Sequence, residues 1–113
     1  MALAVALHRA FGYRLGAVLE HGHPVHVFVV DEEWMLIDAC GRRPYPRAVR
    51  EWDRYSDAPG EFDDHVSLAE VEKWVAAEDL YGYDSRDLAG ARRFARTYLE
   101  LLPNRQMGLR LQV

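Results

Sequence analysis

The stretch His23–Gly41, HPVHVFVVDEEWMLIDACG, carries two residues suited to proton transfer inside an otherwise apolar pair of runs. Rich in Val, Ile and Phe on either side of Asp31-Glu32-Glu33, it predicts a β-hairpin. His26 interrupts the first run and Asp38 the second. With strands Val25 to Val30 and Trp34 to Ala39 joined by that three-residue loop, Val30 faces Trp34, Phe28 faces Leu36 and His26 faces Asp38. Cross-strand neighbours stand about 5 Å apart at Cβ, within hydrogen-bond reach for these side chains. A two-residue loop would slide the pairing by one and separate them. An aspartate beside a histidine orients the ring and stabilises its charged form, and the ring can then take a proton from a thiol. These are the second and third members of a Cys-His-Asp triad. A buried, mutually satisfied hydrogen-bonded pair accounts for the same two residues without catalysis.

A triad also needs a thiol, best placed at a helix N-terminus where the dipole lowers its pKa. The chain has one cysteine, Cys40, which excludes an internal disulfide and any multi-cysteine zinc site. Cys40 lies at a strand end two residues from Asp38, not at a helix start, and no Ser or Thr occurs in the first 55 residues. His21, His23 and His26 do not follow a zinc spacing, so no metal site and no cofactor are expected.

The elements that must position these groups follow from periodicity. Leu3, Leu7, Ala10, Phe11 and Leu15 fit a helical stripe, with a helix over residues 2–11 that Gly12 ends and Leu15 to Leu19 as a short strand. Glu20 to Pro24 reads as a turn. Both faces of the central hairpin are apolar, so it should be covered on both sides. Gly41 to Pro46 is expected to leave the sheet and lead into a short helix, Arg47 to Asp53, burying Val49 and Trp52. Tyr55 to Val66, with Pro59-Gly60 and its acids, reads as a loop. Ser67-Leu-Ala-Glu70 is a capping box for a helix through Glu78. Asp84 or Ser85 caps a further helix to Leu102, and Met107 to Val113 can form an edge strand. Trp34, Trp52 and Trp74 fall on core stripes, and Tyr81-Gly-Tyr83 is an interface candidate. The expectation is a single α+β domain over residues 1–113, an antiparallel sheet with packed helices.

Charge is unevenly placed around a net −4. Glu61 to Asp87 holds nine acids and two bases, whereas five arginines and one acid follow from Arg92. An acidic middle argues against direct nucleic-acid binding and suits a basic protein partner. The residues expected to meet such a partner are Asp31, Glu32, Glu33, Asp57, Glu61, Asp63, Asp64, Glu70 and Glu72. No apolar run reaches the roughly 18 residues of a membrane span. The apolar start lacks the basic region and cleavage site of a signal peptide, and a cytoplasmic location is expected.

Leu3 to Gly12, LAVALHRAFG, then His26 to Val29, HVFV, then Asp38 to Arg43, DACGRR, resemble small bacterial and phage domains of the papain-like, NlpC/P60-like kind. In these a segment C-x-x-F-A-x-A-L-H-R-x-F-G opens the domain, and H-[AV]-x-V and D-x-x-G-x-R segments follow. The resemblance covers the first third of the chain. It implies a papain-like fold with His26 as base and Asp38 as its orienting residue. Aligning Leu3-Ala4 with the family's F-A puts the nucleophilic cysteine one position ahead of Met1. Two expectations result. In the first, His26 and Asp38 are the remnant of a dyad in a non-catalytic, acidic binding protein. One concrete form is a phage-borne inhibitor of the anti-CRISPR type that blocks the basic nucleic-acid channel of a bacterial defence complex. In the second, the domain is a thiol hydrolase, deamidase or acyl transferase whose nucleophile lies upstream of Met1.

Overall fold

The computed structural model of the chain describes residues 1–56, 58–77 and 93. Among these the order is α1 (Ala2–Phe11), β1 (Arg14–Glu20), β2 (His23–Val30), β3 (Met35–Asp38), β4 (Gly41–Pro44), α2 (Tyr45–Tyr55), β5 (Glu61–Val66) and α3 (Leu68–Ala76). The five strands form one antiparallel sheet in the order β4-β3-β2-β1-β5. The α+β class is as expected from the sequence. No helix among the described residues is long and apolar enough to cross a membrane.

Alternation along the strands splits the core in two. On one face Leu15, Ala17, Val27, Val29 and Ile37 pack against Ala4, Val5 and Leu7 of α1 and Val71 of α3. On the other, Val18, Phe28, Val30 and Leu36 pack against Ala48 of α2, with Tyr45, Trp52 and Phe62 around them. β2 is central and covered on both sides, as its two apolar faces require. Gly12 closes α1 at φ 68, its N–H donating to the carbonyl of His8. β1 and β2 turn through His21 and Gly22, both at positive φ (52 and 78), the two-residue hairpin turn whose twist matches its strands. Ser67 and Glu70 form the predicted capping box at α3.

Five expectations are corrected. Val30 pairs with Leu36, not Trp34, a slide of two residues. The cause is Asp31: its carboxylate accepts the N–H groups of Glu33 and Met35, so the loop takes in Trp34 as well. Trp34 therefore leaves the core stripe for an exposed turn position at φ 62, with its ring against Tyr45 and the Arg14 guanidinium. Gly41–Pro44 does not leave the sheet; Ala39-Cys40 is a tight turn and β4 is an edge strand. Glu61–Val66 is not a loop but β5, paired with β1. Its acids read as loop residues, yet charges are common on a strand that, like β5 among the described residues, has one neighbour. α2 buries Ala48, with Val49 and Trp52 only half-buried. Asp57, the helix expected from Asp84 or Ser85, the strand Met107 to Val113 and Tyr81-Gly-Tyr83 lie outside the described residues.

Two outcomes test this packing. Gly16 pairs with Phe28, and a Cβ there would clash with the Phe28 ring and stand 2.9 Å from the Asp63 carbonyl. Gly16→Ala should cost about 1–3 kcal/mol in a urea titration, since the core has no room to relax; an unchanged midpoint would contradict the packing. Burial, then the nearby charges of Asp64 and Asp63, push the Tyr45 hydroxyl up to about 12. Tyr45 stays neutral in the fold where an unfolded tyrosine ionises. Its contribution is thus complete below about pH 10 and is lost as pH rises through its folded value. Thermal melts should fall across that alkaline window, and Tyr45→Phe should flatten the fall.

Candidate functional site

His26 and Asp38 reach each other because a slide of two residues preserves the face of every side chain. The pair becomes diagonal instead of directly opposite, on the α2 face of the sheet. His26 Nε2 lies 2.9 Å from Asp38 Oδ2. The imidazole stacks on the Trp52 indole, centroids 5.9 Å apart and planes 17° apart, with Phe28 on another side. Its position is thereby held by both the sheet and α2.

Asp38 accepts four hydrogen bonds among the described residues. Besides His26 it takes the Cys40 N–H at 2.9 Å and both terminal nitrogens of Arg43, at 2.9 and 3.2 Å. Only 4% of its side chain is exposed. Burial alone would raise its pKa, but the hydrogen bonds from His26 and Arg43, with the charge of Arg43, hold it well below the usual carboxylate range. Arg43 is itself raised by that contact and is oriented from its far side by Glu51, which also accepts from Arg47. An ionised carboxylate accepts hydrogen bonds and donates none, so His26 must donate through Nε2. In the neutral ring Nδ1 is then the basic nitrogen, and it has no protein partner among the described residues.

The dyad lines a cavity of about 810 Å³ between the sheet and α2, whose walls include Cys40, Trp52 and Glu20. Cys40 is exposed in the β3–β4 turn. Its position in sequence, far from a helix start, argues against it as a nucleophile; the sheet nevertheless brings it to the same cavity. Burial lowers the Met1 ammonium pKa, while the charge of Asp38 acts in the opposite sense. The side chains of α1 pack on the opposite face of the sheet from His26.

Among the described residues, many of the acids expected to meet a partner are used internally. Asp31 is corrected outright: it is buried, not a solvent-facing loop charge. Its carboxylate caps the turn and binds Arg42 Nε at 2.8 Å. Arg42 also holds Glu33 at 3.1 Å, and Glu32 is exposed in the same turn. Asp64 pairs with Arg14 at 3.0 Å, and Asp63 accepts the His65 N–H. Glu70 serves the capping box, Glu72 stands 3.9 Å from Arg9, and Glu61 is exposed at the start of β5. Arg43, Glu51, Trp52 and Glu20 were missed as site residues. For Arg43 a signal existed, since it follows Asp38 across a tight turn on an alternate position. The other three arrive through tertiary packing. Among the described residues no cluster of His, Cys, Asp and Glu could hold a metal ion.

Comparison with family models, with curated proteins and with solved structures returns no match for this chain.

Removing Asp38 leaves Arg43 and His26 facing an empty buried position. Asp38→Ala should cost about 3–5 kcal/mol in chemical denaturation, whereas Cys40→Ser, at an exposed site, should stay within about 0.5 kcal/mol. Because the folded Asp38 pKa is depressed, its contribution is present above the usual carboxylate range and is lost as pH falls below it. A protein whose acid unfolding is indifferent to Asp38→Asn would contradict this electrostatic assignment.

Proposed function

We propose that the cavity is an acyl-transfer site and the domain a papain-like thiol hydrolase, deamidase or acyl transferase. His26 is the general base and Asp38 orients it. The observation behind this is the 2.9 Å His26–Asp38 bond in a cavity wall, with the basic nitrogen of the ring left unpartnered among the described residues. A satisfied structural pair would explain the bond. It would not explain why the ring lines an open cavity while the carboxylate is held ionised behind it.

In the reaction, His26 Nδ1 takes the thiol proton as the sulfur bonds to the carbonyl carbon. Collapse of the adduct breaks the bond to the leaving group, and the imidazolium returns the proton to the departing amine or alcohol. Water, or an acceptor amine, then cleaves the thioester with His26 again as base. Asp38 keeps its charge throughout and stabilises the imidazolium.

Two places for the sulfur are compatible with this frame. Cys40 lines the same cavity. The family pattern instead puts the cysteine one position ahead of Met1, whose amino group feels the charge of Asp38. One labelling experiment separates them. Iodoacetamide should alkylate the activated thiol about tenfold faster than glutathione at pH 7, and His26→Gln should remove the advantage. Cys40 is tested in the present chain, and the other position in a Cys40→Ser chain extended by one cysteine ahead of Met1. Rates unaffected by His26→Gln for both thiols would sink the assignment.

Less supports a binding protein that presents an acidic face to a basic partner. Asp31 is buried, and Glu33 and Asp64 already hold arginines of the same chain.

A further inference from the structure

The geometry points to a substrate that carries a positive charge, held at the end of the cavity where Glu20, Tyr55 and Ser56 meet. This inference rests on the cavity being the working site. Three carboxylates and one guanidinium line the cavity. Two of the carboxylates are already neutralised within the chain, Asp38 by Arg43 and Glu51 by Arg43 and Arg47. Glu20 makes no ion pair among the described residues; its one recorded contact is the Ser56 hydroxyl at 3.3 Å. A half-buried carboxylate at a cavity wall without a cation is a place for the ligand to supply one.

Two further features at the same end favour a cation independently. α2 ends at Tyr55, and Ser56 is its C-cap, so the partial negative charge of the helix terminus is directed to this end. Arg54, the basic residue of that last turn, is not among the residues that line the cavity. Tyr55 also lines the cavity while 79% exposed, an aromatic ring with little intramolecular use. Carboxylate, helix C-terminus and aromatic face together form the chemistry that binds an ammonium or guanidinium group. The dyad in the wall of the same cavity would receive the carbonyl. The cavity thus fits an acyl compound with a basic side chain or a free amino group, such as a lysyl amide, in preference to a neutral or acidic one.

The test compares N-acetyl-lysine methylamide with N-acetyl-norleucine methylamide, which differ in charge at the side-chain end. Binding to the full chain is followed by chemical shifts of the Glu20 and Ser56 amides. The lysine compound should bind about tenfold more tightly, and the preference should disappear in Glu20→Gln, with Tyr55→Leu reducing it by a smaller factor. Equal affinity of the two compounds for the native chain, or a preference that survives Glu20→Gln, would overturn the assignment. Binding requires no thiol. A lysine preference that depends on Glu20, together with thiol reactivity indifferent to His26, would therefore leave a cation-binding pocket and remove only the acyl-transfer function.

Discussion

A single buried carboxylate organises one end of the sheet. Asp38 terminates β3, caps the turn that follows through the Cys40 N–H, ties β4 to β3 through Arg43, and fixes the His26 ring of the central strand. Burying an unpaired carboxylate would be prohibitive, so each of these bonds depends on the others being made. The same network decides the chemistry. A carboxylate kept ionised by a guanidinium accepts from Nε2, which leaves Nδ1 as the base. Arg43 is thus a positioning residue: it acts on the imidazole through Asp38 and is in turn steadied by Glu51 of α2.

A second buried aspartate repeats the device at the other end of β3. Asp31 caps the β2–β3 turn and binds Arg42, while Asp38 caps the β3–β4 turn and binds Arg43. Adjacent residues of a strand point to opposite faces, so the neighbouring arginines of β4 serve two aspartates at opposite ends of β3. The edge strand is held to the sheet by charge as well as by its ladder. Where the Asp31 cap sits, it sets the register of β2 against β3, and that register makes the His26–Asp38 contact diagonal.

Much of the site was legible in the sequence because the strand period is two. Any in-phase register keeps His26 and Asp38 on one face, so the pairing survived a loop that was misread by two residues. Capping chemistry was equally readable at Gly12 and Ser67, where one residue type does one local job. What escaped was set by partners distant in sequence. Nothing near Asp31 announces that Arg42 will draw it out of solvent. Nothing in Glu61–Val66 announces a strand, because its acids reflect an edge position that only β1 defines. The cavity itself is built from the ends of β1, β2 and β3 and one side of α2, and no local pattern encodes that meeting.

The central claim is that Asp38 fixes the proton on Nε2 of His26 and leaves Nδ1 bare. Nitrogen-15 spectra of the neutral imidazole read this directly. The account predicts one tautomer, protonated at Nε2, with a proton slow to exchange and a Nδ1 signal typical of an unprotonated nitrogen. A ring protonated at Nδ1, or one averaging rapidly between both forms, would contradict it.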